Sequence, residues 1–86
     1  MEIIILESRL IFDNNILQAV YVVWERYGET RASYSGLKRM SGYHHLKEYD
    51  VFASLKLLQE VANGGRCLNK SEQALYFPNH KIESNE

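Results

Sequence analysis

Histidine and cysteine are the residues of this sequence best suited to bind a metal or attack a substrate, and both are scarce. His44 and His45 are adjacent, whereas Cys67 and His80 lie far from them in the chain. Protein metal sites typically use spacings such as CxxC or HxxxH, and none of these residues has such a spacing. We therefore expect no metal ion and no other cofactor.

Enzymatic chemistry is also not indicated. Cys67 could act as a nucleophile only beside a base and a group that orients that base, and the sequence offers no identifiable set of this kind. Gly64-Gly65 is not followed by the Lys-Ser/Thr of a phosphate-binding loop. We expect Cys67 to occupy a buried or half-buried apolar position and the protein not to be an enzyme.

Basic side chains are concentrated in one short stretch of a chain whose net charge is −1. Residues 30–47 contain four basic and no acidic side chains. Residues 1–29 contain two basic and five acidic ones, and residues 48–86 contain four basic and six acidic ones. A local basic patch is compatible with contacts to nucleic-acid phosphates, and equally with a solvated surface.

Three helices are predicted to position this stretch. A short strand is expected within residues 2–7, followed by a first helix that Asp13 or Asn14 caps and Gly28 ends, with an apolar stripe from Ile16 to Tyr27. A second, short helix should begin near Thr30 or Ser33 and end near Ser41, before a turn at Gly42. The third helix should cover residues 47–63, with Leu55, Leu58 and Ala62 on its buried face.

The remaining residues predict a hairpin and a tail. Residues 66–68 and 74–77 are β-prone and flank a polar loop, which is typical of two paired strands. Pro78 should end the second strand because it cannot donate to a ladder. The 86 residues therefore predict one domain over residues 1–78 and a flexible tail over 79–86.

A cytoplasmic protein is expected. A single cysteine cannot form an intramolecular disulfide, which is typical of a reducing compartment. The longest aliphatic run, residues 3–6, is far too short to cross a bilayer.

This order of elements resembles the winged-helix family of helix-turn-helix proteins. The resemblance covers residues 2–78 and is carried by Leu37, Met40 and Gly42, by Leu55 and Leu58, by Gly64-Gly65, and by residues 66–68 and 74–77. It implies an α+β, mainly α fold of three helices with a small antiparallel sheet as the wing. It also implies a small sequence-specific or architectural DNA-binding protein, a transcriptional regulator, whose third helix enters the major groove of double-stranded DNA.

Carried onto this chain, the resemblance implies two sets of DNA-contacting residues. The base-facing candidates are Tyr43, His44, Lys47, Tyr49, Asp50 and Ser54. The phosphate-contacting candidates are Arg31, Lys38, Arg39, Arg66 and Lys70. So few cationic contacts suggest a dimer, because two half-sites double the contacts.

The alternative is a winged-helix protein-interaction module that does not bind DNA, such as an adaptor or an inhibitor of a mobile element. The negative net charge and the acidic residues Glu48 and Asp50 on the third predicted helix favour it. An uncovered strand at residues 2–7 could also pair with a protein partner or with a second copy of the chain.

Overall fold

Antiparallel strands form the largest part of the fold. A computed structural model describes residues 2–36, 42–43, 46 and 54–83. The first three strands are β1 (Ile4–Asp13), β2 (Ile16–Arg26) and β3 (Glu29–Gly36), and each pairs with the next. A two-residue strand, β4 (Arg66–Cys67), pairs with β3, so the sheet has the order β1-β2-β3-β4.

Two tight turns join the long strands. Asn14 and Asn15 have φ values of 54° and 66°, and Tyr27 and Gly28 have φ values of 55° and 78°. Two successive left-handed residues form the hairpin turn whose twist matches that of the flanking strands, and Asn and Gly adopt this conformation most readily. Asn14, which was predicted to cap a first helix, and Gly28, which was predicted to end it, therefore lie in the turns of the two hairpins.

The central strand β2 is buried on both faces. Val20, Val22 and Trp24 belong to one core cluster, whereas Val23 belongs to a second cluster against which Tyr21 packs. A strand covered on both faces has a nearly continuous apolar run instead of an alternating one. This run has the spacings of a helical stripe as well, which explains why the sequence predicted a helix here.

Helix α1 (Leu55–Gly64) covers one face of the sheet. The Ser54 hydroxyl accepts a hydrogen bond from the Leu57 amide at 3.2 Å and caps the helix. Leu57, Val61 and Ala62 pack against the first cluster of β2. On this face the Trp24 indole N–H donates to Ser33 Oγ at 3.0 Å, and the Ser33 hydroxyl donates to the Ala62 carbonyl at 3.2 Å.

Helix α2 (Lys70–Tyr76) and the residues after it cover the opposite face. Asn69 and Glu72 form a capping box, in which each side chain accepts a hydrogen bond from the other residue's amide. Leu68 and Phe77 flank the helix and are buried with Val23 and Ala32. Residues 80–83, which the sequence places in the tail, contact the sheet: His80 Nε2 lies 2.9 Å from Glu7 Oε1, and the Glu83 amide donates to the Thr30 carbonyl at 2.8 Å.

The predicted mainly α, three-helix winged-helix architecture is wrong, since the described residues form a four-stranded sheet and two helices. The first predicted helix is β2, and the described part of the second is β3. The predicted second wing strand, residues 74–77, belongs largely to α2, whose capping box favours a helix over a hairpin loop.

The described part of the chain has no helix long and apolar enough to cross a membrane.

The third predicted helix exists over residues 55–63, and its predicted part over 47–53 lies outside the described residues. Ala62 is buried as predicted, but the buried face is rotated from the prediction, because Leu57 is buried whereas Leu55 is 60% exposed. Cys67 is exposed on β4, where an apolar burial was expected.

Candidate functional site

Four side chains form a row across the whole sheet. Arg9 on β1 lies opposite Tyr21 on β2, Tyr21 lies opposite Tyr34 on β3, and Tyr34 lies opposite Arg66 on β4. Directly opposed residues in antiparallel strands place their side chains on the same face. We call these four residues the arginine–tyrosine row, and they lie on the sheet face opposite to α1.

The strand pattern and one glycine shape the row. Tyr21 and Tyr34 pack against the second core cluster, which contains Val23 and Ala32, because alternate residues of a strand share a face. Gly36 follows Tyr34 on the same face, and a Cβ atom at this position would lie 2.9 Å from the Tyr34 hydroxyl oxygen. The missing side chain therefore leaves room for the Tyr34 phenol.

The two rings lie against each other and beside a guanidinium group. The Tyr21 and Tyr34 ring centroids are 4.8 Å apart with an interplanar angle of 42°. The Arg66 guanidinium lies 4.8 Å from the Tyr34 ring centroid, within the range of a cation–π contact. Both tyrosines are half-buried, whereas the side chains of Arg9 and Arg66 are 47% and 53% exposed.

Helix α2 contacts the row through one ring, one carboxylate and one backbone carbonyl. The Tyr76 ring stacks on Tyr21 at a centroid distance of 3.9 Å and an interplanar angle of 19°. Arg66 Nη1 and Nη2 donate to Glu72 Oε1 and Oε2 at 3.1 and 2.8 Å. Arg9 Nε donates to the Tyr76 carbonyl at 3.1 Å, and Arg9 also pairs with Glu7 at 3.0 Å.

These contacts shift the ionisation of the site. Burial raises the pKa of Tyr21, and the hydrogen bond with the Tyr76 phenol raises it further, so the phenol is neutral at physiological pH. The hydrogen bonds from Arg66 and from the Asn69 amide lower the pKa of Glu72. The row is therefore an aromatic surface between two permanent cations, and each cation pairs with a carboxylate, Arg9 with Glu7 and Arg66 with Glu72.

An arrangement of this kind has the groups that a binding surface for aromatic or anionic ligands needs. Tyrosine faces between guanidinium groups suit flat rings that carry anionic groups, because rings stack and the guanidinium fork matches phosphate or carboxylate. Within the described ranges there is no group of three His, Cys, Asp or Glu side chains that could hold a metal ion. The expected absence of a catalytic constellation stays a prediction.

The base-facing candidates do not meet on the row. Ser54 caps α1, and Tyr43 packs against the α1 side of the core, where burial and a hydrogen bond with Glu60 raise the pKa of its phenol. The four other candidates lie outside the described residues: His44, Lys47, Tyr49 and Asp50.

The phosphate-contacting candidates are separated as well. Arg31 pairs with Glu29 and lies over the Trp24 ring, on the α1 side of the sheet, whereas Arg66 is part of the row. Lys70 is exposed in the first turn of α2. Lys38 and Arg39 lie outside the described residues.

The predicted site residues did not include Arg9, Tyr21, Tyr34 and Tyr76. A usable signal was present in Tyr27-Gly28, which forms the two-residue turn of a hairpin. Counting outward from that turn places Tyr21 opposite Tyr34, as the structure has it. Because residues 16–26 were predicted to form a helix, the pairing of Tyr21 with Tyr34 was not predicted.

A second surface is the outer edge of β1. This ten-residue strand ends the sheet order, and no described strand pairs with its outer side. It exposes three large apolar side chains, Ile4 at 51%, Leu6 at 42% and Ile11 at 39%. A register shift between Ile5 and Glu7 interrupts its pairing with β2, and bulges of this kind make an edge strand less open to pairing.

Comparison of the chain with models of protein families, with curated proteins and with solved structures found no match.

Proposed function

We propose that the protein binds single-stranded nucleic acid on the arginine–tyrosine row. The observation that carries the proposal is the alignment of Arg9, Tyr21, Tyr34 and Arg66 across four strands. Proteins that bind single strands combine aromatic side chains, on which bases stack, with cations that contact the phosphates. The row contains both kinds of group on one sheet face.

A single strand fits this surface better than a duplex does. Bases inside a duplex stack on each other and do not offer their faces to tyrosine rings, whereas unpaired bases do. Recognition of duplex DNA through residues 43–54 stays a prediction, because most of that segment lies outside the described residues.

The test is binding of a fluorescent 12-nucleotide oligo-dT, followed by anisotropy at two salt concentrations. The wild type should bind with an affinity that falls as salt rises, because phosphate contacts release counterions. Tyr34→Ala/Arg66→Ala should bind about tenfold or more weakly, since each stacked base contributes about 1–3 kcal/mol. The matched control Tyr27→Ala/Arg31→Ala changes the same residue types away from the row and should bind like the wild type.

Two further ligands sharpen the result. Duplex DNA of the same length and thymidine monophosphate should both bind more weakly than the oligonucleotide. Equal binding by the row variant and the wild type would contradict the proposal. So would a clear preference for the duplex, which would favour the segment predicted from the winged-helix resemblance.

A protein partner at the β1 edge is the second candidate, and the exposed Ile4, Leu6 and Ile11 favour it. If a second copy pairs there, sedimentation should show a concentration-dependent dimer that Ile4→Lys/Leu6→Lys abolishes. The control Leu55→Lys/Leu75→Lys changes two exposed leucines on helices, 60% and 71% accessible, and should leave the dimer intact. A wild type that stays monomeric would exclude this form of pairing.

A cytoplasmic location is part of the proposal. The lone cysteine, Cys67, is exposed and forms no disulfide, as in proteins of reducing compartments.

A further inference from the structure

Helix α2 occupies the row with the two kinds of group that a nucleotide carries. The Tyr76 ring of α2 stacks on Tyr21 at a centroid distance of 3.9 Å. The Glu72 carboxylate of α2 accepts hydrogen bonds from both terminal nitrogens of the Arg66 guanidinium. We infer that α2 is an internal competitor of the single strand, and that the row binds at full strength only when α2 is displaced. This inference rests on the proposed function and adds its regulation.

The Glu72 carboxylate replaces a phosphate at Arg66. Arginine binds carboxylates and phosphates through the same pair of parallel N–H groups, so the two anions compete for one fork. While Arg66 is paired with Glu72, its guanidinium is therefore not available to a phosphate. This pairing also accounts for a nucleic-acid site in a chain whose net charge is −1.

The Tyr76 ring replaces a base at Tyr21. The interplanar angle of 19° is that of a stacked pair, and this pair covers one face of the Tyr21 ring. A base can stack on that face only after Tyr76 leaves it. The Arg9 hydrogen bond to the Tyr76 carbonyl holds the end of α2 on the row in the closed form.

The burial pattern allows α2 to lift without unfolding the core. None of the seven residues of α2 is buried, whereas Leu68 before it and Phe77 after it are 0% and 1% exposed. These two side chains are fixed points in the second core cluster. Residues 69–76 can therefore leave the row as a loop between two anchors.

The experiment compares oligo-dT binding by the wild type and by Glu72→Gln/Tyr76→Ala, which removes the competing anion and ring. The variant should bind about tenfold or more tightly, which corresponds to about 1.4 kcal/mol. The control Glu83→Gln/Leu75→Ala changes a carboxylate outside the row and an exposed apolar side chain of α2 and should bind like the wild type. Adding Arg66→Ala to the opened variant should remove the gain.

Hydrogen–deuterium exchange of the wild type gives a second readout that does not depend on the variant's folding. Saturating oligo-dT should speed exchange of amides 70–77, since the Phe77 amide donates to the Gln73 carbonyl of α2, and should leave the Leu68 amide, which donates to the Ala32 carbonyl, protected. Equal affinity of the wild type and the opened variant, or slower exchange across α2, would overturn the inference while leaving the proposed function in place. Absence of binding by both proteins would overturn the proposed function itself.

Discussion

Arg66 on the edge strand and Glu72 on α2 form a bidentate ion pair, with N–O distances of 3.1 and 2.8 Å. The same carboxylate accepts the Asn69 amide at 3.0 Å and so completes the capping box of α2. One side chain therefore connects the start of a short helix to the sheet. Its ionisation links the stability of the fold to pH.

Glu72→Gln should lower the stability of the protein at pH 7, because it removes the charge that pairs with Arg66. The expected loss is only about 0.5–1 kcal/mol, since the pair is partly exposed and water screens it. The pKa of Glu72 is lower in the folded protein than its ordinary value of 4.5. Its charge therefore stabilises the fold above about pH 4.5, and this contribution is lost as the pH falls through the lowered pKa. Urea unfolding at pH 7 and pH 3 measures both effects.

The difference between the wild type and Glu72→Gln should be smaller at pH 3 than at pH 7, because the charge of Glu72 contributes less stability as the pH falls below 4.5 and through the lowered pKa. Glu83→Gln is the matched control, because the Glu83 side chain is exposed and forms no ion pair among the described residues, and it should unfold like the wild type at both pH values. A difference between wild type and Glu72→Gln that is as large at pH 3 as at pH 7 would contradict the assigned role of the charge.

The predictable parts of the fold were those with unambiguous local signals. Asn63-Gly64-Gly65 ends α1 near the predicted residue, and residues 4–7 lie in a strand as expected. The run from Ile16 to Tyr27 was ambiguous, because a strand buried on both faces has no alternation and its apolar residues also match helical spacings. The valines and aromatic residues of this run favour a strand. Only the packing of other elements on both faces of the sheet distinguishes a strand from a helix at this position.

The site was predictable only in part for a related reason. Arg66 was identified as a cation that could bind phosphate, because charge is visible in the sequence alone. Tyr21 and Tyr34 are 13 residues apart, and their contact depends on the register of a hairpin that a helical interpretation excludes. Tyr76 joins them only because Asn69 and Glu72 start a helix where a hairpin loop was expected.

Leu57 and Leu55 test the orientation of α1. Leu57 is 1% exposed and packs in the first core cluster, so Leu57→Ala should cost about 2–5 kcal/mol through lost burial and the cavity left behind. Leu55 is 60% exposed, and Leu55→Ala should change stability by less than about 0.5 kcal/mol. Thermal unfolding of the two variants distinguishes this orientation from the sequence prediction, which placed Leu55 in the core. Equal losses would show that the helix is turned differently.

Tyr27 is the strained position of the second hairpin. Its φ value of 55° is in the left-handed region, which costs a residue with a Cβ atom about 1 kcal/mol, and its side chain is 82% exposed. Asn tolerates this conformation, and Asn-Gly is the preferred pair for such a turn. Tyr27→Asn should therefore raise the stability by about 0.5–1 kcal/mol in chemical unfolding. The loss of the weak contact between the Arg26 guanidinium and the Tyr27 ring, 6.0 Å from its centroid, reduces this gain.

Asn14→Tyr makes the reverse change in the first hairpin, where φ is 54°, and should lower the stability by a similar amount in chemical unfolding. A stabilising Asn14→Tyr, or a destabilising Tyr27→Asn, would mean that the turns are not of this type.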